Sequence, residues 1–557
     1  MLIVGAWWFL LGGGSGVSID DGSHLFVDIG GVYQERTPDD LVSRLAGDDS
    51  QSLADLLFLL RGARDDTRVD GMVVRIRGLQ IGWAKAQEIR SALAEFRASG
   101  KRMVAYLECE FGNSTLEYFI ASAAGELFVP PAGQLLIGGL LAEYVFLGGV
   151  WEKLDVDMQV VKIGDFKTAG DMFDRKSMSA AHREMADSLL DSLYAQFISA
   201  VANARDLEEP TVRALVDRGP LRVDELKAAG LVDGVRFLDE IKHDLVGAEG
   251  AFVRADEFEA RRRPAVVSGG RVAVVYGVGM ITTGESADDV LSDESSVGAD
   301  TLRETFEEIA DDETIDAIVF RIDSPGGSAL ASDLIWRATQ QVRSVKPLIV
   351  SMSDVAGSGG YYVAAGASEI FAAPGTLTGS IGVVLAKPNI RGLLAKIGIE
   401  TATLQRGDAA GMASLTQSFD EGALARVRGS MDEVYALFVD RVASGRSMEA
   451  EQVDAVGRGR VWTGEQARDN GLVDRLGGML DAIDAAKLAI GLDAEEKVEV
   501  VFYPRSRGVF ERIADALATR VATRAPEWLG RIRGALSAFD WPDGSILTLM
   551  PQIIEIR

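Results

Sequence analysis

Short apolar runs of the strand type alternate along the chain with longer segments whose apolar residues recur at helical spacing. From Ser23 onward the pattern predicts strands and helices in turn, over His24–Gly30, Asp39–Leu60, Gly71–Arg77, Ala84–Ser99 and Arg102–Leu107. A similar series begins after the linker Arg261–Pro264, with Val272–Val278 as its first strand. Strands separated by helices favour parallel pairing, so the pattern predicts an α/β fold with parallel sheets and flanking helices.

The two series are one pattern that occurs twice. Arg75-Ile76 recurs as Arg321-Ile322, and Tyr118–Pro130 recurs as Tyr362–Pro374, at nearly the same displacement. Slow drift of the register over such a distance indicates a tandem duplication. We therefore expect an N-terminal repeat over residues 20–265 and a C-terminal repeat over residues 266–505. Residues 1–19 and 506–557 lie outside the repeats.

A glycine-rich stretch in the second copy, Asp354–Tyr362, carries Ser358 at its centre. It lies between the β-rich run Pro347–Met352 and the alanine-rich run Tyr361–Ala367, which predicts a strand-to-helix turn. A serine on such a turn stands clear of the sheet, and the N–H of Gly359 and the first helical turn can stabilise an oxyanion. The alternative is that Ser358 is an ordinary helix N-cap.

The two copies differ at this turn and at a second glycine-containing turn. Ser358 corresponds to Ser114 in the first copy, where Thr115 and Leu116 replace the two glycines that follow Ser358. The second copy also has Gly326 and Gly327 directly after a strand, where the first copy has no such pair. Consecutive glycines can turn their N–H groups towards a bound carbonyl or peptide, although a plain Pro-Gly turn explains them equally well.

One lysine is present in the first copy and absent from the second. When Gly164-Asp165 is aligned with Gly407-Asp408, Lys167 of the first copy falls opposite Ala410. A lone lysine is usually a solvated surface charge, but this one occurs only in the copy that lacks the glycine-rich serine turn. Lys167 is therefore a candidate partner for Ser358.

A serine hydroxyl is a weak nucleophile until a base takes its proton. The chain has only three histidines, His24, His182 and His243, and none lies in the second copy. Burial can lower the pKa of a lysine towards neutrality, because the ammonium is disfavoured away from water. A lysine base is therefore the better-supported hypothesis, while sequence distance leaves a Ser-His-Asp triad open.

Together these motifs resemble bacterial signal peptide peptidase A, also called protease IV, in its long tandem-repeat form. The resemblance rests on Ser-Pro-Gly-Gly-Ser, Ala-Gly-Ser-Gly-Gly-Tyr-Tyr and Thr378-Gly-Ser-Ile-Gly382 in the second copy, and on Gly-Asp-Phe-Lys-Thr-Ala in the first. It covers nearly all of residues 20–505. It implies tandem ClpP/crotonase-like domains and a serine endopeptidase that degrades cleaved signal peptides and other small, unfolded, apolar peptides.

The resemblance also implies a role for each site residue. Ser358 would be the nucleophile, Lys167 the general base, and Ser380 the group that orients the lysine, with a turn serine as the alternative for Ser380. The backbone N–H of Gly359 would stabilise the oxyanion, helped by Gly326 or Gly327. The family further implies a homotetramer at the bacterial inner membrane, held by one N-terminal anchor with its catalytic domains on the extracytoplasmic side.

Composition and the two ends of the chain bear on the possible partners, cofactors and membrane association. A formal net charge of −27 argues against a nucleic-acid partner, and no motif indicates a metal site or a cofactor. Residues 1–19 carry no basic residue and are apolar but diluted by Gly12–Gly16, so they are a membrane anchor, a cleaved signal or a buried strand. In the tail, Phe510, Ile513, Leu517 and Val521 form one apolar helical face within a basic stretch, suited to an anionic membrane surface, to the protein's own surface or to a neighbouring subunit.

Two other functions remain alternatives to the protease. A crotonase-type enzyme acting on acyl-CoA would share the oxyanion-stabilising backbone, but it needs a basic site for the phosphates and leaves the serine and lysine asymmetry unexplained. Its affinity for CoA would identify it. A non-catalytic scaffold that binds membrane proteins has no need of both dyad residues, and it would resist labelling by a serine-directed probe.

Overall fold

The computed structural model describes residues 19–35, 51–110, 112–246, 252–261, 269–289, 294–504, 547–549 and 555–556. Strands and helices alternate through both repeats, and the α/β fold with parallel sheets is confirmed. Three main sheets form the framework. One belongs to the first repeat, one to the second, and the third takes strands from both.

The first sheet is built by the N-terminal repeat. Its strands run in the order β9-β1-β3-β4-β5-β8, with β2 also paired to β1, and every pairing is parallel. The strands are β1 Ser23–Gln34, β2 Gln51–Ser52, β3 Val69–Gln80, β4 Arg102–Leu107, β5 Glu126–Val129, β8 Gly234–Val235 and β9 Phe252–Arg254. The helices of this repeat are α1 Leu53–Asp65, α2 Trp83–Ala98, α3 Thr115–Ala121, α4 Gly148–Leu154, α5 Asp171–Asp174, α6 Ala180–Arg205, α7 Glu209–Asp217, α8 Val223–Ala228, α9 Leu238–Val246 and α10 Ala255–Arg261.

The second sheet repeats this topology in the C-terminal half. The order β22-β10-β14-β16-β17-β21 is parallel throughout, strand for strand like the first sheet, and β18 and β20 extend it beside β16. The strands are β10 Arg271–Val278, β14 Ala317–Ser324, β16 Leu348–Gly357, β17 Glu369–Ala372, β18 Leu377–Gly379, β20 Val461–Thr463, β21 Arg475–Leu476 and β22 Glu499–Tyr503. The helices are α11 Ala299–Asp311, α12 Ala329–Arg343, α13 Gly359–Ala364, α14 Arg391–Lys396, α15 Glu421–Arg446, α16 Ala450–Val456, α17 Gly464–Asp469 and α18 Met479–Ala489.

The third sheet joins the repeats and the C-terminal segment. Its order is β12-β13-β11-β15-β23-β19-β7. These strands are β7 Asp157–Ile163, β11 Met280–Thr282, β12 Ala287–Asp289, β13 Glu294–Gly298, β15 Gly326–Ser328, β19 Val383–Asn389 and β23 Leu547–Leu549. Strand β7 of the first repeat pairs antiparallel with β19 of the second over its whole length, from Val383 opposite Ile163 to Asn389 opposite Asp157. A short separate pair joins β6 Ala142–Glu143 to β24 Glu555–Ile556.

Apolar packing also joins the repeats. The largest core contains residues of both, for example Leu57, Val274 and Ile483, all nearly or fully buried. Removing this apolar surface from water stabilises the two halves against each other, in addition to each half's own core.

One predicted helix is partly wrong. The pattern predicted a helix over Asp39–Leu60, but Gln51–Ser52 is a strand that pairs with the end of β1, and α1 begins only at Leu53. Ser52 is the reason for the later start, because its hydroxyl accepts a hydrogen bond from the N–H of Asp55 at 3.2 Å and so caps the helix. The part of the predicted helix over residues 39–50 lies outside the described residues.

Within the described part of the chain, no helix is both long and apolar enough to cross a bilayer. Most of the candidate anchor over residues 1–19, and the apolar face predicted around Phe510, lie outside those residues.

Candidate active site

Ser358 lies at a sharp turn between β16 and α13. Strand β16 ends at Gly357, and α13 begins at Gly359. Ser358 itself has φ 54° and ψ −112°, a conformation that non-glycine residues rarely adopt. Its side chain makes no cap hydrogen bond to the helix, although it occupies the N-cap position. The structure therefore disfavours the ordinary N-cap interpretation, and strain at this position is typical of functional turns.

Lys167 comes from the other repeat and contacts this serine. Its Nζ lies 2.6 Å from Ser358 Oγ. The pairing of β7 with β19 carries the first repeat's chain into the second repeat's site, because Lys167 follows the end of β7 by a few residues. A hydrogen bond of 2.9 Å from the Phe166 N–H to the Arg458 carbonyl holds the same segment in place.

Ser380 contacts the lysine from a second side. Its hydroxyl lies 3.0 Å from Lys167 Nζ, and its carbonyl oxygen lies 2.8 Å from the same atom. Ser380 follows β18, has φ 52°, and donates its N–H to the Arg460 carbonyl at 2.7 Å. The amine of Lys167 thus meets three oxygen atoms, from two serines of the other repeat.

The surroundings of Lys167 disfavour its charged form. Ser358, Lys167 and Ser380 all have no exposed surface. In the described part of the chain, no carboxylate is among the hydrogen-bond or ion-pair partners of Lys167. Burial therefore lowers the pKa of the Lys167 ammonium well below its usual range. None of the three histidines is among the partners of Ser358 there.

The glycines singled out in the sequence lie around this pair. Gly359 and Gly360 begin α13, so their N–H groups belong to a first turn that has no acceptor within the helix. A Cβ on Gly360 would lie 2.6 Å from the Ser324 carbonyl oxygen, which places the turn directly against the end of β14. Gly326 and Gly327 follow on β15 with φ 106° and 155°, a backbone that only glycine adopts without strain.

Ser114 is the residue of the first repeat that corresponds to Ser358, and its surroundings differ. It lies at the N-terminus of α3, as Ser358 does at α13, but with φ −107° and ψ 21°. Its hydroxyl donates to the Gly112 carbonyl at 3.4 Å, and no lysine is among its partners in the described residues. Of the two corresponding serines, only Ser358 combines a strained turn with a basic neighbour.

Gly459 packs against the backbone of Lys167. A Cβ at this glycine, whose φ is +82°, would lie 2.4 Å from Lys167 N and 2.6 Å from its Cβ. We expect Gly459→Ala to displace Lys167 and to lower kcat about 100-fold, the order of loss that a misplacement of about 1 Å causes. Gly491→Ala is the matched control, because Gly491 has the same φ and open space around it. The kcat values of the two variants check this prediction, and equal values would contradict it.

A buried ion network behind the site was not predicted from the sequence. The Arg321 guanidinium donates to Glu35 at 2.7 Å and to Glu88 at 2.7 Å, and all three side chains are almost completely buried. Lys85 lies 2.9 Å from Asp323 and 3.4 Å from Asp354. Glu35, Lys85 and Glu88 belong to the first repeat, and the others to the second, so the network joins the repeats through charge.

The network also positions the strands that carry the site. Asp323 accepts the N–H of Val355 at 3.1 Å, which ties the end of β14 to β16 just before Ser358. Asp354 accepts the N–H of Lys85 at 3.0 Å, at the start of α2. Burial alone would raise the pKa of Glu35, but Arg321 and Lys85 lower it to about 2. The only sequence signal for this network was the recurrence of Arg75 as Arg321.

Both repeats of the chain match one family of known proteins. The model for peptidase family S49 matches residues 95–249 and 340–493, one region in each repeat. The chain belongs to peptidase family S49. The resemblance to signal peptide peptidase A and the tandem ClpP/crotonase-like fold are thereby confirmed, and the family supports a serine peptidase.

Three named relatives are similar in sequence to this S49 peptidase. "Serine protease SPPA, chloroplastic" of Arabidopsis thaliana is 36% identical, over 78% of this chain and 65% of its own length. The chain thus spans just under two thirds of that relative. "Protease 4" of Salmonella typhi is 29% identical, over 93% of this chain and 86% of its own length. "Putative signal peptide peptidase SppA" of Enterococcus faecium is 34% identical, over 33% of this chain and 53% of its own length.

Proposed function

We propose that this S49 peptidase is a serine endopeptidase with a Ser358/Lys167 dyad, acting on cleaved signal peptides and other small, unfolded, apolar peptides. The observation that carries the proposal is the 2.6 Å contact between Lys167 Nζ and Ser358 Oγ, at a lysine whose pKa burial lowers. A neutral amine has two N–H donors and one lone pair. The carbonyl and hydroxyl of Ser380 suit the two donors, which leaves the lone pair for the Ser358 hydroxyl proton.

The proposed reaction begins with attack of Ser358 Oγ on the scissile carbonyl while Lys167 takes the hydroxyl proton. The Gly359 N–H, with Gly326 or Gly327, stabilises the oxyanion. Lys167 then gives its proton to the leaving amine, and an acyl-enzyme remains on Ser358. Water, deprotonated by Lys167, hydrolyses this ester. Ser380 acts as a positioning residue that aims the amine at Ser358.

We further propose that the protein works as a homotetramer at the bacterial inner membrane, with residues 1–19 as the anchor and the repeats on the extracytoplasmic side. The support for this part is the resemblance of the motifs to signal peptide peptidase A. Detection of the protein in the membrane fraction, and accessibility of its repeats to protease from the extracytoplasmic side only, would test it.

The deciding experiment compares two serine variants that occupy corresponding turns. We expect Ser358→Ala to lower cleavage of a synthetic signal peptide by about 10⁴-fold or more, because a nucleophile and its base act as one unit. Ser114→Ala should cleave at the wild-type rate. Turnover is followed by mass spectrometry of the products, with folding of each variant checked by circular dichroism. Near-normal cleavage by Ser358→Ala would refute the dyad.

A further inference from the structure

The start of strand β20 lies directly beside the two serines of the candidate active site. Strand β20 pairs antiparallel with β18, so that Val461 lies opposite Gly379. Just before β20, the carbonyl of Arg460 accepts the N–H of Ser380 at 2.7 Å. The carbonyl of Gly379 in turn accepts the N–H of Ser358 at 2.8 Å. The backbone at Arg460 therefore holds Ser380 directly, and it holds Ser358 through one residue of β18.

The side chain of the same arginine reaches into the first repeat. Its guanidinium carbon lies 4.6 Å from the ring centre of Phe166 and 4.6 Å from the ring centre of Trp462. A cation is attracted to the face of an aromatic ring, and the attraction grows as water is excluded. Phe166 directly precedes Lys167 in the chain. Arg460 therefore joins the backbone that holds the serines to the segment that carries the lysine.

The aromatic rings restrain this guanidinium more than its ion pair does. The Arg460 side chain is 18% exposed, whereas its partner Glu184, at 2.6 Å, is 61% exposed. An ion pair with so exposed a carboxylate contributes little, because water solvates the carboxylate equally well. The Nε of Arg460 is buried and has no hydrogen-bond partner among the described residues. Packing against the rings is thus what restrains that side of the group.

The neighbours of Arg460 hold the main chain of the lysine segment. The carbonyl of Arg458 accepts the N–H of Phe166 at 2.9 Å, and Gly459 packs against the backbone of Lys167. These two contacts locate the main chain, whereas the contact with Arg460 restrains the side chain next to the lysine. The ring of Phe166 also packs against an apolar cluster drawn from both repeats, which consists of Met185, Leu189, Leu377 and Val461.

We propose that Arg460 is a positioning residue for the dyad, which holds the two serines through its carbonyl and the lysine through the ring of Phe166. This inference rests on the proposed function, because it takes Ser358 and Lys167 as the reacting pair. Arg460 would act on the 2.6 Å separation of Lys167 Nζ from Ser358 Oγ. A misplacement of about 1 Å between reacting groups can lower a rate by about 100-fold.

The first test measures kcat and KM of full-length variants on a synthetic signal peptide. We expect Arg460→Met, which keeps the length and removes the cation, to lower kcat about 10-fold or more with KM unchanged. Arg460→Lys keeps a cation that can lie over a ring, so it should recover part of the lost kcat.

Arg475→Met is the matched control for this test. The guanidinium of Arg475 also lies over a ring, 5.1 Å from the centre of Phe371, and it pairs with Glu369 at 3.5 Å. Arg475 belongs to β21, the last strand in the parallel order of the second sheet, and Arg475→Met should match the wild type. A kcat of Arg460→Met equal to that of Arg475→Met, or a rise in KM without a fall in kcat, would overturn the proposal.

Three further proteins separate the ring contact from the ion pair. Phe166→Leu removes the ring and keeps an apolar side chain, so kcat should fall as far as in Arg460→Met. The double variant should fall no further, because both changes remove the same contact. Glu184→Gln leaves the rings in place and should keep the wild-type kcat. Additive losses, a wild-type kcat in Phe166→Leu, or an equal loss in Glu184→Gln would overturn the proposal. Phe166→Leu still tests the contact if Arg460→Met does not fold.

Labelling by a fluorophosphonate probe separates this proposal from the proposed function, because the probe reacts with an activated serine whether or not peptides are cleaved. We expect Ser358→Ala to abolish labelling and Arg460→Met to slow it about 10-fold or more. The midpoint of its pH dependence should also move to higher pH in Arg460→Met, because water that reaches Lys167 favours the ammonium and raises the pKa that burial had lowered.

The outcomes of this labelling experiment are distinct. Labelling of Arg460→Met at the wild-type rate and with the wild-type pH dependence would overturn the positioning role. Slower labelling of Arg460→Met, together with no peptide cleavage by any of the proteins, would refute the peptidase and retain the positioning role. Absence of labelling in the wild type would refute the Ser358/Lys167 dyad and this inference with it.

Discussion

Replacing Lys167 by methionine should reduce peptide hydrolysis by about 10⁴-fold or more, the loss expected when the base of a coupled catalytic unit is removed. Methionine has a similar length and no amine, so Ser358 would keep its proton while the buried volume stays filled. Lys162→Met is the matched control, because Lys162 lies on β7 a few residues away and its partly exposed Nζ pairs with Asp171 at 2.8 Å. The rates at which the two variants cleave one synthetic signal peptide measure this loss, and similar rates would contradict the prediction.

The pH dependence of activity should follow the ionisation of Lys167. The base must be neutral, and burial lowers the pKa of Lys167 well below that of a free lysine. We therefore expect kcat/KM to rise with pH through the lowered pKa and to reach a plateau below the usual range of lysine, about pH 10.4. A rate that keeps rising up to that pH would show a lysine with an ordinary pKa, which contradicts the proposed mechanism.

The lowered pKa of Lys167 should also make the stability of the folded protein rise with pH. Between the lowered pKa of folded Lys167 and about pH 10.4, the unfolded chain binds a proton that the folded chain does not. The wild type therefore gains stability as pH rises through this window, by up to about 1.4 kcal/mol per pH unit, relative to Lys167→Met. Denaturation midpoints of the two proteins across this range measure the difference. A constant difference would mean that Lys167 is charged in the folded protein.

The turn at Ser358 could be predicted from the sequence because its determinants are local. An apolar β-rich run, a glycine-rich turn and an alanine-rich run specify strand, turn and helix with little help from the rest of the chain. The strand ended later than predicted, at Gly357 rather than Met352, because β18 pairs with its last residues. The strand Arg102–Leu107 was predicted with its observed bounds.

Lys167 was found by a different signal, the comparison of two copies within one chain. No local pattern distinguishes this lysine from a surface charge. Only its absence from the copy that has the glycine-rich serine turn indicated a partner, and the structure places the two side chains in contact. The roles assigned to Lys167, Ser358, Ser380 and the glycines remain predictions until the variants above are measured.

The features that sequence reasoning missed all depend on partners far apart along the chain. The β7–β19 pairing, which delivers Lys167, joins strands of different repeats, and nothing in either strand specifies the other. Leu547–Leu549 is too short to stand out as a strand and becomes one only between β15 and β19. Glu35 and Arg321 meet only when the repeats pack together. Tertiary packing, rather than local propensity, determines such contacts.

The second large effect is expected at Arg321. Arg321→Leu would leave Glu35 and Glu88 facing each other in the interior without the guanidinium that now bonds to both. Breaking a buried ion pair on one side typically costs about 3–5 kcal/mol, because the remaining charge has lost its compensation. We expect the Arg321→Leu protein to unfold at a clearly lower urea concentration and to lose peptidase activity with it, since the network ties β14 to β16 next to Ser358.

Arg75→Leu is the control that the duplication itself supplies. Arg75 occupies the corresponding strand position and also bonds to a carboxylate, Asp28, but both side chains are partly exposed. Exposed pairs of this kind contribute about 1 kcal/mol or less, so this variant should unfold close to the wild type. A similar shift in both variants would mean that burial of the Arg321 network adds nothing. A stable but inactive Arg321→Leu protein would instead assign the network to positioning of the Ser358 turn alone, because the repeats would then be held together by their shared apolar core.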